Sequence, residues 1–156
     1  MHIAIARSDP EIAACYPVMR ELRPHIAEET FVAKVRELEH AGYRLACLTE
    51  SGTPVAVAGF RLGENLAWGR FLYVDDLVTL SEHRSRGHGA ALLDWLTELA
   101  VREGCDELHL ESGVQRTGAH RFYEREGMQM TSYHFVKRLV RRPQGPMTEG
   151  GADPAP

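Results

Sequence analysis

The segment Arg84-Ser85-Arg86-Gly87-His88-Gly89-Ala90 has residue types suited to holding an anion. It follows a β-rich run and opens a strongly periodic helix, so unpaired backbone N–H groups and the positive end of the helix dipole meet there. The glycines let a ligand approach the backbone closely, and Arg84 and Arg86 can add charge-assisted hydrogen bonds. The segment therefore predicts a phosphate site. A glycine-containing helix start with a solvated arginine pair is the simpler alternative.

Two other phosphate-binding patterns do not fit this segment. A P-loop needs Lys and then Ser or Thr after its second glycine, whereas Gly89 is followed by Ala90 and Ala91. A dinucleotide fingerprint needs a third glycine at the position of Leu92, and it follows the first strand of its fold, not a mid-chain meander. Both patterns are therefore disfavoured.

Three carboxylates are candidates for a general base. Asp75 and Asp76 interrupt an apolar β-rich run, and Glu111 ends the next one. A carboxylate at such a position can accept a proton directly or through water. Adjacent residues on a regular strand face opposite sides, so we expect only one of the two aspartates to face a substrate. A β-bulge, or hydrogen bonds to the backbone, would explain the pair equally well.

These residues require a mixed α/β scaffold. Hydrophobic periodicity and turn residues predict the order β-α-α-β-β-β-α-β-α-β, with the first helix running through Met19. The remaining expected elements are a helix from Glu28 to near Gly42, β segments 43–49, 55–61 and 66–80, a helix from the glycine segment to Gly104, a strand 106–111, a helix 117–126 and a terminal strand region 128–140.

Composition limits the class of protein. A chain of 156 residues suits one domain, which we place at 1–140, with a flexible Pro- and Gly-rich tail at 141–156. The net charge of −4 argues against non-specific nucleic-acid binding. The spacing of the three cysteines and eight histidines suggests no disulfide framework and no metal site. The start lacks a signal-peptide pattern and no apolar run could span a bilayer, so we expect a cytoplasmic protein.

Arg84-x-x-Gly87-x-Gly89 resembles the Gln/Arg-x-x-Gly-x-Gly/Ala hallmark of the GNAT superfamily of N-acetyltransferases, which lies between the fourth strand and third helix of that fold. A second patch, residues 119–128, resembles the superfamily's Ala-x-x-x-Tyr-Glu-x-x-Gly-Phe segment. The resemblance implies one α/β domain with a mostly antiparallel central sheet. It also implies that the sheet splays near Leu80 and opens a cleft for coenzyme A.

The same resemblance implies that acetyl-coenzyme A is the cosubstrate. The expected contacts are backbone pairing of the pantetheine arm with one strand end and backbone amides around the pyrophosphate. The residues assigned to them are Leu77, Val78 and Thr79 for the arm, and Arg84, Ser85, Arg86, Gly87, His88, Gly89 and Ala90 for the pyrophosphate. Arg116 stands where many relatives have Asn, and it can still reach a phosphate or the pantetheine.

Tyr123 acquires a role only through the resemblance, because an aromatic residue at helical spacing usually packs in the core. In the family the matching tyrosine reaches the coenzyme sulfur and protonates the departing thiolate. A tyrosine pKa near ~10 against ~8.5 for a thiol keeps the proton available until the thiolate forms. A similar acidic pair in diamine-type acetyltransferases favours Asp75 as the base over Asp76 and Glu111.

We therefore expect an N-acetyltransferase that moves an acetyl group from acetyl-coenzyme A to a primary amine of a small molecule or peptide by direct attack, without metal, nucleic acid or membrane. A homodimer is expected by analogy with the superfamily. One alternative is a catalytically inactive coenzyme-binding regulatory module. Another is a partner-binding protein anchored by Trp68 and Trp95, although both tryptophans are expected to pack internally.

Overall fold

The protein is described by a computed structural model that covers residues 1–141. Of the tail expected at 141–156, only Arg141 is among the described residues, and positions 142–156 lie outside them. The strands are β1 His2–Ile5, β2 Tyr43–Glu50, β3 Thr53–Asn65, β4 Gly69–Thr79 and β5 Glu107–Leu110. The helices are α1 Asp9–Ala14, α2 Tyr16–Leu22, α3 Glu28–Glu39, α4 His88–Arg102 and α5 Thr117–Arg125, with a 3₁₀ turn at Ser81–His83.

The strands form one sheet in the order β1-β2-β3-β4-β5. The first four strands pair antiparallel, and β5 pairs parallel with β4 after the crossover through α4. Helices α1 to α3 cover one face, where Ile12, Val18 and Phe31 are buried, and α4 covers the other with Leu92 and Leu96. The expected mixed α/β domain with a largely antiparallel sheet is confirmed.

The sheet splays between β4 and β5. Their pairing covers only Phe71 to Val74 on β4, because β5 ends at Leu110, whereas β3 accompanies β4 as far as Thr79. The second half of β4 therefore has a strand on one side only within residues 1–141. A strand edge without a partner exposes backbone hydrogen-bonding groups, so this half is where an extended ligand can add.

A β-bulge interrupts β4 at Asp75. Gly59 of β3 pairs with Asp76 and Phe60 pairs with Val74, so Asp75 has no residue opposite it. The extra residue shifts the alternation of the strand. Val74 lies in the core beneath α4, while Val78, four residues later, lies in the core beneath α1 to α3.

Two sequence-based expectations about the elements are wrong. The first helix stops after Ala14 and a second begins at Tyr16, because Pro17 has no N–H to donate and its ring clashes with the preceding turn. The expected terminal strand at 128–140 has neither strand nor helix structure. A strand needs a neighbour for its backbone hydrogen bonds, and no described strand pairs with this segment, whose Phe135 is 91% exposed.

None of the helices in residues 1–141 combines the length and apolar character that spanning a bilayer requires.

Candidate active site

A cleft of about 320 Å³ opens where β4 and β5 separate. It brings together residues from four regions: the end of α2, the bulge of β4, the segment after β5, and α5. Its lining consists of Leu22, Arg23, Val74, Asp75, Leu77, Leu110, Glu111, Gly113, Gln115, Arg116 and Tyr123. Five residues singled out in the sequence therefore share one cavity: Asp75, Leu77, Glu111, Arg116 and Tyr123. A larger depression of about 460 Å³ lies along α3 and contains none of them.

Asp75 and Asp76 are both engaged by arginine. The Arg61 guanidinium donates to both carboxylate oxygens of Asp75, at 2.7 and 2.8 Å. Asp76, which is buried, accepts from Arg23 Nε at 2.7 Å and from the Tyr43 hydroxyl at 2.8 Å. Burial and the charge of Asp76 raise the pKa of Tyr43, so that hydroxyl stays a donor.

The bulge also corrects the expectation that the two aspartates face opposite sides of the strand. Arg61 pairs across the sheet with Tyr43, a core residue beneath α1 to α3, so both lie on that face. The partners of Asp75 and Asp76 are thus on one side, and a bulge points two successive side chains to the same side. Arg23 connects the two residues, because its Nη2 also donates to the Asp75 carbonyl at 3.0 Å.

Glu111 is the least constrained of the three candidate bases. It lies one residue beyond β5, its side chain is half exposed, and its ion-pair partner is His134 Nδ1 at 2.8 Å. Its negative charge acts on the neighbouring Tyr73. Burial, followed by the hydrogen bond and charge of Glu111, raises the pKa of Tyr73.

Tyr123 enters the cleft from α5. It is partly buried and packs against Phe122, with ring centroids 5.2 Å apart. Burial raises the pKa of Tyr123, and the positive charge of Arg116 opposes that rise. Arg116, which stands where many relatives have asparagine, immediately precedes α5 and lines the cleft.

The second half of β4 presents alternate backbone groups to its open edge. The Leu80 N–H donates to the Val55 carbonyl of β3, and strand alternation turns Val78 toward β3 as well. Leu77 and Thr79 consequently point their N–H and C=O groups away from β3. Val78 has its side chain in the core and its backbone turned to β3, so the structure corrects its assignment as a ligand contact.

The glycine segment forms the turn that leads into α4. Gly87 is the residue before the helix and has φ +83°, a left-handed conformation that favours glycine. Ser85 also has positive φ, at +62°. No side chain caps the helix start, so the amides of its first turn, from His88, Gly89 and Ala90, are available to an anion.

The two arginines of this segment differ in their surroundings. Arg84 contacts Glu21 at 3.1 Å and donates from Nε to the Thr79 carbonyl at 3.3 Å. Arg86 makes no ion pair within residues 1–141, which leaves its charge available for a phosphate. The His88 side chain is 97% buried and points toward Glu50, so its backbone amide is the group that faces a ligand at the helix start.

Trp95 packs against the core beneath α4, as expected, whereas Trp68 lies half buried in the turn between β3 and β4. Trp68 stacks on His109 with centroids 3.7 Å apart, and Trp95 meets Phe60 edge-on at 6.4 Å. Sequence reasoning missed Arg23, Arg61 and Tyr43, which hold the two aspartates. Only the fold reveals them, because it brings the residue after α2 and one residue each of β2 and β3 next to the bulge.

Comparison with known proteins agrees with the geometry. The model of the acetyltransferase (GNAT) family matches residues 9–128. The uncharacterized N-acetyltransferase YhdJ of Bacillus subtilis (strain 168) is 34% identical over 139 residues, 88% of this chain and 98% of that protein. The aminoalkylphosphonate N-acetyltransferase of Salmonella typhimurium (strain LT2) is 29% identical over 126 residues, 80% of each chain.

Solved structures show the same fold. Aminoglycoside N-acetyltransferase AAC(6')-Iy in complex with CoA superimposes with a TM-score of 0.78 at 14% identity, over 88% of this chain and 95% of that one. A five-stranded sheet splayed beside a glycine-rich helix start, the match of the family model and two N-acetyltransferase relatives lead to one assignment. The chain belongs to the GNAT family of acetyltransferases and is an N-acetyltransferase.

Proposed function

We propose that this protein transfers the acetyl group of acetyl-coenzyme A to a primary amine of a small molecule or peptide by direct attack in the cleft between β4 and β5. The observation that carries the proposal is the meeting of Tyr123, Glu111 and the open edge of β4 in one cavity. The relatives named as acetylating aminoalkylphosphonates and aminoglycosides support an amine acceptor. Neither the cleft nor the comparisons favour an inactive regulatory module.

Coenzyme A binding uses two features of this chain. The pyrophosphate accepts hydrogen bonds from the first-turn amides of α4, with Arg86 adding charge. The pantetheine arm lies along β4 and pairs with the outward carbonyl of Leu77 and the outward N–H of Thr79, as an added strand would, while the Thr79 carbonyl accepts from Arg84. The complex of AAC(6')-Iy with CoA supports this cosubstrate.

The chemistry is a direct displacement. The amine nitrogen attacks the thioester carbonyl, a C–N bond forms, and the C–S bond breaks as the thiolate leaves. The outward N–H of Leu77 is a donor for the carbonyl oxygen as negative charge develops on it. Tyr123 gives its proton to the thiolate, and its raised pKa keeps it protonated until that step. Holding both reactants in one cleft supplies the proximity term of the rate.

We propose Glu111 as the general base in place of Asp75, because arginines bind the carboxylates of both aspartates. Both oxygens of Asp75 accept from Arg61, and both oxygens of Asp76 accept from Arg23 and Tyr43, so a proton would have to displace a charged donor. Glu111 is held by a tyrosine, Tyr73, and a histidine, His134, in place of an arginine, and it lies half exposed beside the cleft. We assign it the acceptance of the amine proton, directly or through water.

The first test is calorimetric titration of the full chain with acetyl-coenzyme A, followed by turnover on a panel of aminoalkylphosphonates, aminoglycosides, polyamines and peptides. Gly89→Trp, whose side chain would begin 3.4 Å from the Phe122 ring and crowd the start of α4, should abolish binding, and far-ultraviolet circular dichroism checks that the variant still folds. Acetyl-coenzyme A binding by the wild type, lost in the variant, supports the site. A folded wild type without binding contradicts it.

Base and acid are separated by conservative variants. Glu111→Gln should lower kcat by about 10²–10⁴-fold, whereas Asp75→Asn should change kcat less and act mainly on KM for the amine. If Asp75→Asn lowers kcat more than Glu111→Gln does, Asp75 is the general base instead. Tyr123→Phe should lower kcat by a similar factor with unchanged coenzyme affinity, and an unchanged kcat removes its role as the acid.

A further inference from the structure

A second cluster of ionisable side chains lies beside the phosphate segment and has no part in the chemistry above. Glu50 ends β2, His83 ends the 3₁₀ turn, and His88 begins α4. Each offers one ligand atom, and these atoms lie within 4.8 Å of one another. Three separate elements thus converge on one point with two imidazoles and a carboxylate.

The histidines of this cluster are not satisfied by hydrogen bonds. Both ring nitrogens of His88 and the Nδ1 of His83 are buried without a hydrogen-bond partner. His88 is 3% exposed, so bulk solvent does not reach its ring. Leaving buried polar groups unpaired costs stability, and a group in that situation calls for a ligand that is absent from the described chain.

The Glu50 carboxylate lies near both imidazoles, at distances longer than an ordinary hydrogen bond. Glu50 Oε2 lies 3.4 Å from His83 Nδ1, and Glu50 Oε1 lies 3.4 Å from His88 Nε2. An N–H···O hydrogen bond is ordinarily about 2.7–3.2 Å long. Two ligand atoms of a tetrahedral Zn²⁺, each about 2.0–2.1 Å from the ion, are about 3.3–3.4 Å apart.

We propose that Glu50, His83 and His88 bind one Zn²⁺ ion, with a water molecule completing the tetrahedron. Two imidazoles and a carboxylate form a known zinc-binding set, and small side-chain rotations bring the three ligand atoms around one ion. His88 coordinates through Nε2 and keeps its proton on Nδ1. This inference departs from the expectation of a metal-free protein, and it does not depend on the transfer reaction.

At this position the ion would stabilise the turn before α4. His83 immediately precedes and His88 immediately follows residues 84–87, the turn that leads to the phosphate-binding amides. One ion therefore fastens both ends of that turn to the end of β2. Binding to the folded state alone raises the melting temperature, by roughly 5–10 °C at a hundredfold excess over Kd for a chain of this size.

The test is titration of the tag-free, metal-stripped full chain with Zn²⁺, and with Co²⁺ as a spectroscopic probe. We expect one equivalent bound per chain, visible absorption typical of a tetrahedral Co²⁺ site that Zn²⁺ abolishes, and the rise in melting temperature. Glu50→Gln and His83→Asn should each weaken metal binding by at least about tenfold. These two partly buried positions are preferred because replacing the fully buried His88 risks unfolding.

The matched control is His134→Asn, which removes a histidine from another histidine–glutamate pair, that of His134 with Glu111. It should leave the stoichiometry, the spectrum and Kd unchanged. Three results overturn the proposal: a wild type that binds less than about a tenth of an equivalent, a Co²⁺ spectrum of octahedral type, or equal binding by wild type and Glu50→Gln.

Discussion

Replacing Gly59 with alanine should destabilise the protein more than any other glycine-to-alanine change away from a left-handed position. The added methyl carbon would lie 1.9 Å from the Tyr43 hydroxyl oxygen and 2.6 Å from Asp76 Oδ2. Neither neighbour can retreat to solvent, because Tyr43 is 6% exposed and Asp76 is 9% exposed. The strand must therefore shift or the hydrogen bond between Tyr43 and Asp76 must break.

The cost follows from those two contacts. A hydrogen bond to a charged group contributes about 1.5–3 kcal/mol, and forcing a methyl group into a packed core costs about 1–3 kcal/mol. Together they predict a loss of about 2.5–6 kcal/mol in the free energy of unfolding. Since Asp76 also holds Arg23, which lines the cleft, KM for the amine should rise in the same variant.

Urea denaturation followed by circular dichroism measures the effect, with midpoints compared at a common m-value. The control is Gly118→Ala near the start of α5, where an added methyl meets nothing within 4 Å. It should be neutral or stabilising by about 0.5–1 kcal/mol because alanine favours helix. A loss below about 1 kcal/mol for Gly59→Ala would refute the reasoning, because it would mean that Tyr43 and Asp76 can move aside to accommodate the methyl group.

Three further predictions follow from the fold. Gly87→Ala should lower the free energy of unfolding by about 1–2 kcal/mol and weaken coenzyme binding, because the φ of +83° at this position strains any side chain. Urea melts measure the stability, and titration calorimetry measures the binding. Phe60 is fully buried, so Phe60→Ala should lower the free energy of unfolding by about 3–5 kcal/mol. Phe135 is 91% exposed, so Phe135→Ala should change it by less than about 0.5 kcal/mol. Above about pH 10 the free energy of unfolding should fall in part because the unfolded chain loses a tyrosine proton that the folded state retains at Tyr43; in urea melts of Tyr43→Phe that fall should be shallower by up to about 1.4 kcal/mol per pH unit.

The sequence predicts the scaffold well where hydrophobic periodicity and turn residues agree. The expected helix 117–126 is observed as Thr117–Arg125, and the expected strand 43–49 as Tyr43–Glu50. The break at Pro17 was open to prediction from proline chemistry alone. The segment 128–140 was not, because alternation predicts strand geometry but does not supply the neighbouring strand that a β-ladder requires.

The candidate site was predictable in its motif residues and unpredictable in its partners. Tyr123 and Glu111 reach the cleft from elements that the sequence places correctly. The engagement of Asp75 by Arg61 depends on the register between β3 and β4, which a bulge alters and no local pattern specifies. Glu50 is likewise separated from His83 by more than thirty residues, and only the packed fold makes them neighbours. The cytoplasmic location and the homodimer stay predictions.

The bulge at Asp75 also determines where the chain can vary in length. Because Asp75 has no residue opposite it, removing it would join Val74 to Asp76 in ordinary alternation and leave Leu77 and Val78 on their present faces. Deleting Asp76 would restore the same alternation, whereas deleting Val74 or Leu77 would place an aspartate where a core side chain lies now. A one-residue deletion in a central strand, normally among the most damaging changes to a protein, should be compatible with folding at this bulge. Family members that differ in length by one residue here would then keep the same sheet while losing the carboxylate that Arg61 holds.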